Sequence, residues 1–98
     1  MKYPHTAWEL SKRIYANYPD ALDRLKVADK LLFLKGQYAQ AEFPAYLLWM
    51  LRELQAFDDS GKAGRWLGWV MRSLEILNVV TLQENRDFTR IDKQHGDV

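Results

Sequence analysis

Residues 44–57 (PAYLLWMLRELQAF) form the most continuously apolar stretch of the chain. From Ala45 to Leu51 the only polar group is the Tyr46 hydroxyl, so no face of a helix in this span is suited to water. A helix that is apolar on every side is normally enclosed by its neighbours. The apolar run ends at Arg52, well short of the roughly 20 residues that cross a bilayer. We therefore predict a buried central helix at about 44–57.

Apolar residues also recur with the period of a helix in residues 6–17, 19–35, 61–77 and 81–91. No segment shows the alternation of a strand, and residues 37–43 carry only weak signals, so we treat them as a connection that can include one helical turn. The pattern predicts an all-α, compact orthogonal or bundle-like domain of four to five helices. The clearest helix is 61–77, whose apolar stripe consists of Ala63, Trp66, Leu67, Val70, Met71, Leu74 and Leu77.

Polar residues and glycines predict where these helices begin and end. Thr6–Glu9 and Thr81–Glu84 have the form of capping boxes, in which the threonine hydroxyl and the glutamate carboxylate each accept a backbone N–H of the other residue. Gly36 and Asn78 are natural left-handed residues at helix ends. Between Pro19 and Gly36 we predict one continuous helix. Its inner stripe is Leu22, Leu25, Ala28 and Leu32.

Two glycines lie inside the predicted 61–77 helix, whose first turn Asp59 or Ser60 can cap. Gly64 and Gly68 each cost roughly 1 kcal/mol relative to alanine in a helix. We therefore expect another backbone or a broad ring to pack against that side.

The composition agrees with one small soluble domain. The chain has 98 residues, 48% of them hydrophobic and 28% charged, and a net charge of +1, which is typical of one globular core. Such a balance gives no electrostatic reason to expect a nucleic acid or an anionic membrane as partner. The absence of cysteine excludes disulfides and thiolate metal sites, and we expect a cytoplasmic protein. Residues 1–98 are taken as a single helical domain with flexible ends at 1–5 and 92–98.

The aromatic content is high for so short a chain, with four Trp, five Tyr and four Phe. Tryptophan and tyrosine are difficult to bury completely in a small domain and are enriched at protein interfaces. Two interpretations remain open at this point. Either the core is built from large side chains, or one or two of the rings lie on a binding or self-association face.

Residues that could perform catalysis or bind a metal are few. The only histidines, His5 and His95, lie near the two ends of the chain. The adjacent Asp58 and Asp59 suit helix capping, because the further ligands of an EF-hand loop are missing. The glycines are set at helical intervals and do not form a phosphate-binding loop. We predict a protein that is not an enzyme and that needs no metal or cofactor.

Nucleic-acid binding is the alternative function. Residues 77–91 join two predicted helices by a short turn, as a helix-turn-helix does. Arg86 and Arg90 are four residues apart on the second of these helices, where they could contact phosphates. Acidic residues are interleaved with them, which would weaken such contacts.

The preferred functional surface is the face of the 61–77 helix opposite its apolar stripe. Arg65, Trp69, Arg72 and Ile76 are spaced by four, three and four residues and form a second stripe. Arginine and tryptophan are the residue types that dominate binding hot spots. Alternatively, another helix of the same chain covers Trp69 and the arginines lie at its edge. Trp66, on the other stripe, is expected to be buried.

Residues 65–70 (RWLGWV), together with residues 80–86 (VTLQENR), resemble short helical proteins encoded by tailed phages and prophages. The similarity covers about a third of the chain, and members with known roles often bind and redirect a host protein. The resemblance implies a partner-binding accessory protein and no enzyme. We therefore predict a small regulator, inhibitor or adaptor that binds a protein partner, or a second copy of itself, through the Arg65, Trp69, Arg72 and Ile76 stripe.

Overall fold

The computed structural model describes every residue from Met1 to Val98 and consists of helices and the turns that join them. The all-α class predicted from the sequence is confirmed, with six α-helices in place of four to five. One turn of 3-10 helix, Gln40–Glu42, precedes the fourth of them. In chain order the helices are α1 (Pro4–Asn17), α2 (Ala21–Val27), α3 (Lys30–Leu34), α4 (Phe43–Leu54), α5 (Ser60–Ile76) and α6 (Leu82–Gln94).

The central helix is the feature that the sequence predicted best. Helix α4 lies at 43–54 and packs against α1, α2 and α5. It ends three residues before the predicted limit, because backbone N–H groups of Ala56 and Phe57 turn back to carbonyls three residues earlier. Its buried residues are Ala45, Leu47, Leu48, Trp49, Met50, Leu51 and Leu54.

The predicted single helix between Pro19 and Gly36 is wrong, because the chain breaks at Ala28. This residue is extended, with φ −69° and ψ 148°. The break leaves carbonyl groups of α2 without helical partners, and the Lys30 ammonium donates to the carbonyls of Leu25 and Ala28. The Asp29 carboxylate caps α3 by accepting the N–H of Leu31 at 3.0 Å. The side chains of Asp29 and Lys30, which both follow Ala28, therefore replace the continuous helical hydrogen bonds.

The break changes which side chain enters the core. Leu32, assigned to the inner stripe from its spacing, is exposed, and Phe33 is buried in its place. Phe33 is the one buried residue of α3. Gly36 has φ 69°, the left-handed conformation predicted for it.

Helices α1 and α6 pack together and join the two ends of the chain. The capping box at Thr81 and Glu84 is confirmed in both directions. The box predicted at Thr6 is wrong, because α1 begins two residues earlier, at Pro4, after Tyr3 in a left-handed conformation (φ 51°). Thr6 instead binds Asp92 of α6 through its N–H and its hydroxyl.

The segments expected to be flexible ends, 1–5 and 92–98, are hydrogen-bonded in the structure. The N–H of Tyr3 donates to the carbonyl of Asp97 at 2.6 Å, and the N–H of Lys2 donates to the carbonyl of Gln55 at 3.0 Å. Asp92, the first residue of the second segment, is buried.

Helix α5 follows its predicted course. Asp59 caps it by accepting the N–H of Lys62 at 3.1 Å, and Asn78 beyond its end has φ 59°. The expectation of a backbone or a broad ring against both internal glycines is wrong. A Cβ at Gly68 would meet nothing within 4 Å, and one at Gly64 would meet only the Tyr3 hydroxyl, at 3.7 Å.

Candidate interaction surface

The four stripe residues lie together on a face of α5 that no other helix fully covers. Trp69 is 44% exposed and Ile76 is 65% exposed. The side chains of Arg65 and Arg72 also lie in solvent. The face therefore presents one large ring between two guanidinium groups, with the aliphatic side chain of Ile76 beyond Arg72.

Trp69 is partly packed and partly free. Its ring meets Phe43 edge-on, with centroids 5.8 Å apart and planes at 75°. It meets Tyr46 in the same way, at 5.9 Å and 90°. These contacts fix one edge of the indole against α4 and leave the rest in solvent.

Most of the aromatic rings form one continuous cluster beneath this face. Tyr46 stands near its middle, stacked between Tyr38 at 4.5 Å and Trp49 at 5.7 Å. Burial raises the pKa of the Tyr46 hydroxyl, and the nearby Tyr38 adds to the effect. The members, called the aromatic cluster below, are Phe33, Tyr38, Phe43, Tyr46, Trp49, Phe57, Trp66 and Trp69.

The four tryptophans occupy different environments. Trp49 is buried in the core, whereas Trp8 on α1 is 61% exposed. Trp66, expected to be buried, is half-buried, and its ring meets Phe57 at 86° with the two centroids 4.7 Å apart. The chain therefore uses large rings in its core and also exposes them.

A hollow of about 470 Å³ opens beside Trp69, between α5 and the segment that follows α3. We call it the α5 groove. Tyr46 and Met50 of α4 belong to its lining, and so does Tyr38 from the connection at 37–43. The complete lining is Gly36, Tyr38, Tyr46, Met50, Arg65, Trp66 and Trp69.

Sequence reasoning missed the contribution of Tyr38 and Tyr46 to this groove. Tyr38 lay in a segment with weak helical signals, which gave it no predicted position. The hydroxyl of Tyr46, the only polar group in the apolar run of α4, was the available signal that this side of the helix reaches solvent. A second hollow, also of about 470 Å³, borders the opposite side of Tyr38; Phe43 and Leu77 belong to its lining.

Basic side chains dominate the polar groups of α5. The Lys62 ammonium lies 4.5 Å from the Phe57 centroid and 5.7 Å from that of Trp66, in cation–π contact. Arg65 has no carboxylate oxygen within 4.0 Å. Arg72 is 3.4 Å from Glu75, whose other oxygen accepts a hydrogen bond from the buried amide of Asn85 at 2.8 Å. The acidic group on this helix is thus already bound.

The arginines of the nucleic-acid alternative lie on the exposed side of α6. Arg90 is paired with Asp87 at 2.8 Å, and Asp87 also accepts a hydrogen bond from Gln83. Arg86 is exposed and neither arginine lines a hollow. The turn before α6 holds Val79 and Val80 in the core.

The two histidines lie in different environments. His5 belongs to α1 and its ring meets Phe88 edge-on at 6.3 Å, whereas His95 is exposed beyond α6. No group of three or more His, Asp or Glu side chains is arranged to hold a metal ion. None of the helices combines the length and the apolar character that spanning a membrane requires.

Comparison of the chain with models of protein families, with curated proteins and with solved structures gives no match.

Proposed function

We propose that this protein is a small non-enzymatic interaction module that acts as a regulator, inhibitor or adaptor by binding another protein. Its contact surface is the face of α5 that carries Arg65, Trp69, Arg72 and Ile76. A second copy of the same chain is the other partner that this face could bind.

The observation that carries the proposal is the environment of Trp69. One edge of its ring is held by Phe43 and Tyr46, and the rest is exposed between two arginines. A ring that is already fixed loses little side-chain entropy on binding, so its burial by a partner contributes more to affinity. Tryptophan and arginine near the centre of a contact are also the side chains whose truncation weakens protein complexes most.

The lining of the adjacent groove favours binding over catalysis. Its lining residues are two tyrosines, two tryptophans, one methionine, one glycine and one arginine, with no carboxylate or imidazole that could act as a general base at neutral pH. The resemblance of residues 65–70 and 80–86 to phage-encoded proteins implies a host protein as the target. That part of the proposal depends on the resemblance alone.

The test compares two exposed tryptophans. Purified chain is first analysed by light scattering for self-association and is then used to isolate partners, which are purified and titrated calorimetrically. We expect Trp69→Ala to keep a cooperative melt and to weaken binding by about 2 kcal/mol or more, the loss typical of a hot-spot residue. The matched control is Trp8→Ala on α1, which should bind as the wild type does. Equal affinity of Trp69→Ala and wild type, or loss of folding in Trp69→Ala, would refute the proposed surface.

A further inference from the structure

We propose that the α5 groove receives a segment of the partner that presents a carboxylate beside a bulky apolar side chain. This inference rests on the proposed function, because it names the kind of partner that the same surface binds. It has three supports: the apolar floor of the groove, the charge along its α5 side and the commitment of the neighbouring acidic groups.

The floor of the groove suits one large apolar side chain. Tyr46, Met50 and Trp66 supply it, and Met50 is almost fully buried, so the base is closed. The volume of about 470 Å³ falls within the range of roughly 300–1,000 Å³ that is usual for ligand pockets. Tyr38 forms the wall opposite α5 and is stacked on Tyr46, which holds the wall in place.

The charge along α5 selects the polar part of the occupant. Lys62, Arg65 and Arg72 are the basic residues of this helix, and Glu75 is its only acidic residue. Arg65 itself lines the groove, with its guanidinium free of any ion pair within 4.0 Å. A free guanidinium at the edge of an apolar site can bind a carboxylate through two parallel hydrogen bonds. The fixed charge thus complements an acidic segment.

No acidic group forms an ion pair with Arg65 within 4.0 Å. Asp59 accepts the backbone N–H of Lys62 and attracts Arg65 from a longer distance, and Glu75 binds both Arg72 and Asn85. Glu53 of α4 is exposed one turn beyond Met50, but it does not line the groove. Basic partners would meet like charges at the groove edge, which disfavours them.

A different apolar patch, on α2 and α3, gives no comparable indication of its occupant. Val27 is 86% exposed, and Leu31 and Leu34 are also exposed. The charged residues around them are mixed in sign, with aspartates beside the lysines. The α5 groove differs because its charge specifies what it would bind.

The experiment selects peptides without assuming a natural partner. A display library of random twelve-residue peptides is selected on the intact chain and counter-selected on Trp69→Ala. We expect the enriched peptides to combine Asp or Glu with one bulky apolar residue. One such peptide is then synthesised in three forms, with the selected acid, with the matching amide (Gln for Glu, Asn for Asp) and with lysine at that position.

Dissociation constants of the three forms separate charge from apolar contact. On the wild-type chain the amide form should bind about fivefold more weakly than the acidic form, the effect of an exposed ion pair at the upper end of its range. The lysine form should bind more weakly still. On Arg65→Gln the difference between the acidic and amide forms should disappear, while the apolar contact persists. Thermal melts of both variants confirm that each remains folded.

The outcomes distinguish this inference from the proposed function. If binding depends on Trp69 but not on the peptide carboxylate or Arg65, the acidic-segment inference is wrong and the interaction surface stands. If no peptide prefers the wild type over Trp69→Ala, the inference is also wrong. Displacement of the peptide by duplex DNA at low salt would indicate a nucleic-acid site and overturn it as well. The proposed function itself fails if purified partners bind wild type and Trp69→Ala equally, or if Trp69→Ala does not fold.

Discussion

Thr6 and Asp92 join the first and last helices through a buried carboxylate. The N–H of Thr6 donates to Oδ2 of Asp92 at 2.8 Å, its hydroxyl donates to the same oxygen at 2.6 Å, and the N–H of His5 donates to Oδ1 at 3.0 Å. Asp92 is only 1% exposed. A side chain of α6 therefore satisfies N–H groups in the first turn of α1, where the helix dipole favours a negative charge.

Asp92→Asn should destabilise the fold by about 2–3 kcal/mol, because the amide nitrogen would face hydrogen-bond donors in a buried site. Chemical denaturation measures the loss. The matched control is Asp87→Asn on the exposed side of α6, whose ion pair with Arg90 should matter by less than about 1 kcal/mol. If the two variants lose the same stability, the carboxylate does not hold α1 and α6 together.

Two glycines should respond in opposite ways to alanine. Gly68 lies inside α5 with open space where a Cβ would stand, so Gly68→Ala should raise the unfolding free energy by about 0.5–1 kcal/mol. Gly36 has φ 69°, a conformation that costs an alanine roughly 1–2 kcal/mol, so Gly36→Ala should lower it. Thermal melts of both variants test the pair. A stability loss in Gly68→Ala would contradict the open surface at that position.

Phe33 should be the residue that holds α3 to the domain. Its ring packs against Tyr46 at 5.3 Å and Trp49 at 5.7 Å, and it is buried. Phe33→Ala should cost about 3–5 kcal/mol, as truncation of a buried aromatic residue does. Hydrogen exchange should locate the largest loss of protection in α3. Leu34→Ala, on the exposed side of the same helix, should leave exchange there nearly unchanged, and a similar loss in both variants would refute the anchoring role.

Asp59 should contribute to stability in a pH-dependent way. Its hydrogen bond from the Lys62 N–H is the main cause that lowers the pKa of this carboxyl below the ordinary value of 3.8. A lowered pKa in the folded state means that the contribution is present above pH 3.8 and is lost as the pH falls through the folded pKa. Asp59→Asn keeps a capping oxygen without the titrating group. Its unfolding free energy should therefore fall less steeply in acid than that of the wild type; parallel curves would exclude this role.

The sequence predicted the helices whose signals are local. The apolar run of α4 indicates a buried helix whichever elements surround it. The capping box of α6 is formed by Thr81 and Glu84, which lie within one turn of each other. The same reasoning failed at Thr6, because its true partner is 86 residues away in sequence. A carboxylate from a distant helix outcompetes a local box, and spacing alone gives no sign of it.

For the predicted interaction surface, too, the sequence indicated the relationships within one helix but not the contributions of distant segments. Helical spacing placed Trp69 on the same face of α5 as the two arginines, since that relationship is internal to one helix. The groove next to it also needs Tyr38 and Met50, which come from other parts of the chain. Gly36 and Tyr38 of its lining follow the break at Ala28, where side-chain capping by Lys30 and Asp29 overrides a regular apolar stripe.

The contact between α1 and α6 also has a temporal consequence. During translation α1 is made well before the carboxylate that caps it, because Asp92 follows Thr6 by 86 residues. Early helices can form before that moment, yet the first turn of α1 cannot gain its hydrogen bonds until synthesis has passed Asp92. Folding of this chain is thereby coupled to completion of α6, and a ribosome that stalls earlier would leave the start of α1 uncapped.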